Sequence, residues 1–388
     1  MKTTMENNKL TIFLEGRIDT NNASAVESEV FTAVNGNPGA EVLIDAEKLE
    51  YISSAGLRVL MKLRKQVKKA LPVLNVSREV YEIFETTGFT ELLDVKKAFR
   101  QISVEGCELI GKGGNGAVYR LDEETIVKVY YGISNPLEKI EQDRMVSRAV
   151  FVQGINTAIP YDVVKVGEDY GVVFEMVEAD TLGMFLAKHP EKLEEYTHRM
   201  TDLLKQLHRT EFDEGALPDA RNLLYHRITI GENLGLFTPE EAEKLRSFTD
   251  SIPVRNTFVH GDFHPGNIMV KDDELILIDV GDSGVGHPIN DLMGMYLMYV
   301  VAANANSGEM YCGLGKEPLT RMWPMILRDY FETEDPTPYA KAIEGVAMLK
   351  LMLGVVVNPN IPEEMRKGTV NQLKGPFLEN MDKLVIVP

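Results

Sequence analysis

The chain has 388 residues, 44% hydrophobic and 26% charged, with 59 Asp and Glu against 41 Lys and Arg and a formal charge of −18. That length suits two or three globular domains, and the acidic excess argues against nucleic acid as a main partner, because phosphate binding needs basic surface. Cys107 and Cys312 are too isolated for a disulfide framework, no signal-peptide core follows the first residues, and the longest apolar run, Leu292 to Ala305, falls short of the roughly 20 residues of a membrane span, so a cytoplasmic protein with no membrane contact is expected.

Leu10, Ile12 and Leu14 alternate with Thr11 and Phe13, which predicts a strand from Lys9 to Leu14 closed by Gly16. Asp19 to Asn22 offer turn and cap chemistry for a helix through Ala23 to Phe31. Val42 to Ile44 reads as a short buried strand. Behind Ser53-Ser54-Ala55-Gly56, the residues Leu57, Leu60, Met61 and Val67 recur at near-helical spacing. Pro72 to Val76 gives another strand and Val80 to Glu85 another helix. This alternation predicts an α/β unit, a small, mostly parallel sheet covered by helices. The basic residues Lys62, Arg64, Lys65, Lys68 and Lys69 read as a solvated helix face.

Three segments, Gly16-Arg17-Ile18-Asp19, Tyr51-Ile52-Ser53-Ser54-Ala55-Gly56-Leu57 and Phe84-Glu85-Thr86-Thr87-Gly88-Phe89, resemble in that order a STAS domain, the anti-sigma-factor-antagonist module, over residues 1–102. The resemblance implies a serine at the start of the central helix that a partner kinase phosphorylates, and a surface that binds an anti-sigma factor or kinase partner. Aligning on Gly56 makes Ser54 the phosphorylation candidate. Ser53 then stands where the family commonly has Asp, and Ala55 where it has a second Ser. A phosphate on Ser54 would meet the free N–H groups and dipole of a helix N-terminus. The simpler alternative is that Ser53 or Ser54 only caps that helix.

Lys96 to Gly106 lacks periodicity, and a domain boundary is expected at 102/103. Gly111-Lys112-Gly113-Gly114-Asn115-Gly116-Ala117-Val118 then completes G-x-G-x-x-G-x-V. Val118 to Leu121 and Thr125 to Tyr130 read as strands around the acidic turn Asp122 to Glu124. The glycines therefore belong to a hairpin over phosphates, not to a strand-to-helix turn. Lys128, among apolar β-branched residues, is the candidate to pair with the α- and β-phosphates. An acidic residue on the helix expected from Leu137 to Gln153 should hold it. Glu141 and Asp143 both qualify, and the longer reach of Glu141 favours it. Asp162 to Val166 and Tyr170 to Glu175 give two more strands.

Leu193, Tyr196, Met200, Leu203, Leu204 and Leu207 mark an amphipathic helix. Downstream, His260-Gly261-Asp262 precedes Asn267 in a turn-rich loop, and Asp279 ends the apolar strand Leu275 to Ile278. That spacing suits Asp262 as the base or hydroxyl-orienting residue, Asn267 as a metal ligand and Asp279 as the principal Mg2+ ligand. The stretch resembles the catalytic segment of the aminoglycoside phosphotransferase and choline-kinase group of the protein-kinase-like fold, which carries H-G-D where protein kinases carry H-R-D. The resemblance implies ATP and Mg2+ as cofactors and an α+β bilobal domain, with an N-lobe at 103–180 and a C-lobe at 181–388. It places Gly111, Gly113, Gly116 and Val118 over the nucleotide, and Glu175 and Val177 in a hinge that offers backbone groups to adenine. It puts Ile110, Val127 and Phe174 around the base, and Asp291 as a brace for the catalytic loop.

Only eleven residues separate Asp279 from Asp291, and no Ala-Pro-Glu follows, so there is no room for a peptide-docking activation segment. The expected acceptor is a small-molecule hydroxyl, selected by helices around Leu292 to Ala305, Met322 to Thr333 and Pro338 to Gly354. Two alternatives stand beside phosphotransfer: a non-catalytic nucleotide sensor in a partner-switching system, and a kinase acting on its own Ser54.

Overall fold

The computed structural model describes residues 2–6, 8–68, 71–113, 116–132 and 135–387, and the chain divides into two compact units, Met1–Ile102 and Ser103–Pro388. In the first unit, strands Lys2–Glu6, Lys9–Ile18, Glu41–Ile52, Pro72–Val76 and Asp94–Lys97 lie side by side in chain order. The first pair is antiparallel and the others are parallel. Helices Ala23–Asn35, Ser54–Val67 and Arg78–Thr86 accompany this sheet, and Ile12, Ile44, Val73, Val80 and Phe84 are fully buried in its core.

Two strands outrun the lengths their alternation suggested. Lys9–Ile18 continues through Gly16, where the backbone enters the left-handed region at φ +66 and the register against Glu41–Ile52 shifts. A glycine there absorbs a bulge instead of ending the strand. Glu41–Ile52 runs on past Ile44 because Ala46, Leu49 and Ile52 return to the core, although charged residues between them hide the pattern. Asp94–Lys97 falls in a segment without periodicity.

In the second unit, strands Pro160–Val166, Asp169–Glu175, Thr125–Tyr130, Gly116–Arg120 and Leu109–Lys112 follow one another in that spatial order, each antiparallel to the next. Helix Leu137–Val152 packs on the Pro160–Val166 strand and on the short turn Val280–Asp282. Behind them, helix Leu193–Leu207 packs on Lys316–Phe331, and helix Thr337–Val357 packs on Ile289–Tyr296, Arg221–Asn233 and Glu363–Asn380. Two short ribbons carry the chemistry-bearing turns: Ile268–Lys271 pairs with Glu274–Leu277, and Phe258–Val259 with Gly284–Val285.

The helix expected from Leu292 begins at Ile289 and passes into a π-helix over Leu297–Ala302. Arg221–Asn233, Pro239–Asp250 and Glu363–Asn380 are additional helices. Pro239–Asp250 had a legible signal, since Thr238 and Glu241 close a reciprocal capping box around Pro239 at the first helical position. Among the described residues, no helix is long and apolar enough to cross a membrane.

Candidate active site

Strand parity decides which residues share a face with Lys128. Val118 and Val172 lie directly opposite it on the two neighbouring strands, and Ile126 and Phe174 follow two positions along. Val127 pairs with Tyr119 and Val173, on the opposite face, and is fully buried. The expectation that Val127 lines the base is therefore corrected by alternation, and Ile126 is the residue of that strand on the Lys128 face.

Among the glycines, a Cβ on Gly116 would come within 2.1 Å of the Val129 carbonyl, so only glycine fits there. A Cβ on Gly111 or Gly113 would meet nothing within 4 Å, which leaves bare backbone for close approach of a ligand. The Gly113 N–H donates to the Gly116 carbonyl at 2.9 Å, while Gly114 and Asn115 lie outside the described residues. At the strand end, the Glu175 N–H donates to the Ile159 carbonyl and the Met176 N–H to the Glu124 carbonyl. No backbone acceptor among the described residues meets the Val177 N–H.

Lys128 forms an ion pair with Asp279. Burial opposes its charge, but the carboxylates of Asp279, Asp282 and Asp143 outweigh that and hold its pKa above the ordinary lysine value. Of the two candidates on helix Leu137–Val152, the one whose charge acts on Lys128 is Asp143, which is buried. This corrects the preference for Glu141. A helix turns about 100° per residue, so positions 141 and 143 stand far apart around the axis and side-chain length cannot compensate. Burial, then the nearby Asp282 charge, pushes the Asp143 carboxyl up to about 7.

Asp279 itself sits in the left-handed region, with φ 58 and ψ 43. That conformation is strained for a non-glycine residue and clusters at functional sites. Its neighbour Ile278 donates its N–H to the Asn267 carbonyl at 3.0 Å. The Asn267 amide donates in turn to the Asp262 carbonyl at 2.9 Å and, more weakly, to the Asp262 carboxylate at 3.4 Å. These bonds draw Asp262, Asn267 and Asp279 onto adjoining chain segments. Burial works against the charge on Asp262. The His264 ring, with Nε2 3.5 Å from its carboxylate, and the charges of Lys350 and His260 nonetheless hold its carboxyl well below the usual range.

The loop backbone is fixed from below. Asp291, fully buried, accepts the His260 N–H at 2.9 Å, the Gly261 N–H at 2.6 Å and His208 Nε2 at 3.0 Å. His208 Nδ1 continues the chain of bonds to the Tyr330 hydroxyl at 2.6 Å. Gly261 adopts φ +84, and its carbonyl accepts the Lys350 ammonium at 2.7 Å, which also reaches the Asn290 carbonyl at 3.2 Å. Gly294 makes room for that ammonium, since a Cβ there would lie 2.8 Å from Lys350 Nζ.

Sequence reasoning missed Lys350 and Arg227. Lys350 had a signal, as the single charge in Ala347-Met348-Leu349-Lys350-Leu351-Met352-Leu353. Arg227 had none, because its helix has no marked apolar stripe. For a divalent cation, Asp279 and Asn267 offer the hard oxygen donors that Mg2+ prefers. Among the described residues, no group of three or more His, Cys, Asp or Glu is arranged to hold a metal alone. That fits an ion completed by ligand phosphates and water.

In the first unit, Ser53 caps helix Ser54–Val67, its Oγ accepting the Gly56 N–H at 3.5 Å. Ser54, at the first helical position, is exposed. Lys62 in that helix pairs with Glu27 at 2.7 Å, and Lys69 lies outside the described residues.

A family model described as the phosphotransferase enzyme family matches residues 106–322, and a STAS domain model matches residues 1–102. A Bordetella bronchiseptica protein named as an anti-sigma factor antagonist, BtrV, is 34% identical over 100 residues, covering 24% of this chain and 85% of that protein. Among solved structures, the aminoglycoside phosphotransferase APH(2'')-Ib with ADP bound aligns over 77% of this chain and 98% of its own, at 18% identity and a TM-score of 0.47. The streptomycin–ATP ternary complex of APH(2'')-IIa aligns over 77% and 97%, at 18% identity and a TM-score of 0.48.

Proposed function

Since this chain belongs to the phosphotransferase enzyme family and carries an N-terminal STAS domain, we propose that it transfers the γ-phosphoryl group of ATP to a small-molecule hydroxyl. Residues 103–180 form the nucleotide lobe in this reading and 181–388 the acceptor lobe. The observation that carries it is the hydrogen-bonded run from Asp262 through Asn267 to Ile278, the neighbour of Asp279, with Lys128 paired to the Asp279 carboxylate.

The acceptor oxygen attacks the γ-phosphorus, the bond from that phosphorus to the ADP oxygen breaks, and the hydroxyl proton passes to the Asp262 carboxylate. An Asp held this acidic is a weak base towards a free alcohol. Its task is to orient the hydroxyl and take the proton late, as a loose transfer step allows. Lys128 offsets charge on the α- and β-phosphates, and the bare backbone at Gly111 and Gly113 lets them approach. The adenine is met by the free Val177 N–H beside the Glu175 carbonyl, with Val118, Ile126 and Phe174 against the ring. When bound, Mg2+ would be held by Asp279 and Asn267 and would neutralise charge developing on the transferred phosphoryl group. The STAS unit serves a signalling partner, an anti-sigma factor or a kinase.

The test is ATP consumption by the full chain against a panel of hydroxyl metabolites. Asp262→Asn is expected to slow turnover by roughly 10²–10⁴-fold, and Asp279→Asn at least as much. Nucleotide binding without turnover of any alcohol, sugar or amine points instead to a nucleotide sensor. One observation supports a second reading, transfer to Ser54: its hydroxyl is exposed while Ser53 does the capping. An unmodified Ser54 peptide in mass spectra after incubation with Mg-ATP removes that reading.

A further inference from the structure

A cavity of about 270 Å³ opens beside the catalytic loop, walled by Gly261, Asp282, Lys350, Arg227 and the side of helix Leu137–Val152 that carries Lys139 and Asp143. Its charged groups are mostly committed. Lys350 donates to two carbonyls, and Lys139 donates to Asn135 at 3.3 Å. Asp219 is gripped by Arg221 through three contacts of 2.7–3.1 Å.

Arg227 differs. Among the described residues it is the one Lys or Arg of this wall with no hydrogen bond or ion pair, although it feels the charges of Asp282 and Asp262 from beyond pairing distance. A guanidinium carries five donors in a planar fork, and burying part of it without partners costs free energy. The groups that match that fork are carboxylates and phosphates, which it binds through two parallel bonds.

We propose that this cavity seats the acceptor, and that the acceptor carries a carboxylate or phosphate held by Arg227 while its hydroxyl lies at Asp262. The inference rests on the phosphotransfer reading and adds the chemical class of the acceptor. The cavity volume sits below the roughly 300–1,000 Å³ of drug-sized sites, so the acceptor is a small metabolite.

The experiment uses the full chain with Mg2+ and the non-hydrolysable analogue AMP-PNP filling the nucleotide site. Inorganic phosphate, acetate and methylammonium are then added separately and the thermal midpoint is followed. Phosphate or acetate should raise the midpoint, and whichever does so identifies the oxyanion. The rise should vanish in Arg227→Met and shrink in Arg227→Lys, with a single cooperative transition by circular dichroism showing that each variant is folded. No rise with either anion, an equal rise in Arg227→Met, or a rise with methylammonium alone overturns the proposal. In turnover assays, hydroxy acids or sugar phosphates should drive ATP consumption, and Arg227→Met should raise KM by roughly 30-fold or more, as expected for losing a charge-assisted pair. Consumption driven only by amino alcohols defeats the anion assignment and leaves phosphotransfer standing. Failure of AMP-PNP to bind removes phosphotransfer first, and this inference with it.

Discussion

The two turns of this protein that carry the candidate site residues are held in opposite ways. In the second unit, the backbone around His260 and Gly261 is gripped by buried polar groups: the Asp291 carboxylate accepts two amides and His208 from one side, and the Lys350 ammonium donates to the Gly261 carbonyl from the other. In the first unit, the turn leading to Ser54 rests on apolar fit. A Cβ on Gly56 would lie 2.7 Å from Ile52 Cγ1 and 2.8 Å from Ile18 Cγ2, and the polar contacts are neutral ones, the 3.5 Å cap bond to Ser53 Oγ and the 2.8 Å bond from the Ser53 N–H to the Ile18 carbonyl. A loop that must aim charges uses charges to stay in place, whereas a turn that only presents a hydroxyl is placed by shape.

That contrast predicts unequal costs. Asp291→Ala should be the most damaging substitution, because it strands the N–H groups of His260 and Gly261 and the buried His208 at once. A loss of about 3–5 kcal/mol is expected, as for removing one partner of a buried charged network. Urea unfolding checks this, and a loss under 1 kcal/mol would break the claim that buried charge holds the loop.

Gly56→Ala comes next. Relieving glycine's helix penalty gains about 0.5–1 kcal/mol, but the new methyl meets two β-branched side chains that are stiff at χ1, an overpacking cost of about 1–3 kcal/mol. The net effect should be destabilising, and a stabilised variant would show that the isoleucines yield. Ser53→Ala should cost about 1 kcal/mol through the lost cap. For both variants the thermal transition of the STAS unit should fall while ATP turnover by the other unit is measured alongside.

The same contrast explains what the sequence disclosed. His260, Asp262, Asn267 and Asp279 stood out because metal and phosphate chemistry fixes residue types at short spacings, and such patterns survive in one dimension. The alternating helices and strands of the first unit were legible for a similar reason, since apolar residues repeat with the local period. Lys350, Arg227 and the choice of Asp143 over Glu141 were not readable in that way. Each is set by which face of a helix meets a loop far away in the chain, 89 residues in the case of Lys350 and Gly261. Val127 went astray through parity, because apolar residues occupy both faces of a buried strand and only the pairing partners reveal which one the lysine shares.

The subtlest consequence is a pH dependence that the charge-built region should have and the shape-built turn should lack. Asp143 is raised in the folded chain from 3.8 to about 7, with burial as the main cause. The folded state therefore binds this proton more tightly than the unfolded state, so stability falls as pH rises from about 4 and levels off above about 7. In Asp143→Asn the carboxyl is gone and that decline should disappear. The difference in thermal midpoint between variant and parent should widen across this window in favour of the variant and stay constant above it. Asp262 acts with the opposite sign, because its lowered pKa makes stability fall only as pH drops below the ordinary aspartate range, so the two effects occupy separate windows. Parallel midpoint curves between pH 4 and 7 would mean that Asp143 keeps its charge on folding, and that the carboxylates around Lys128 are better solvated than their packing implies.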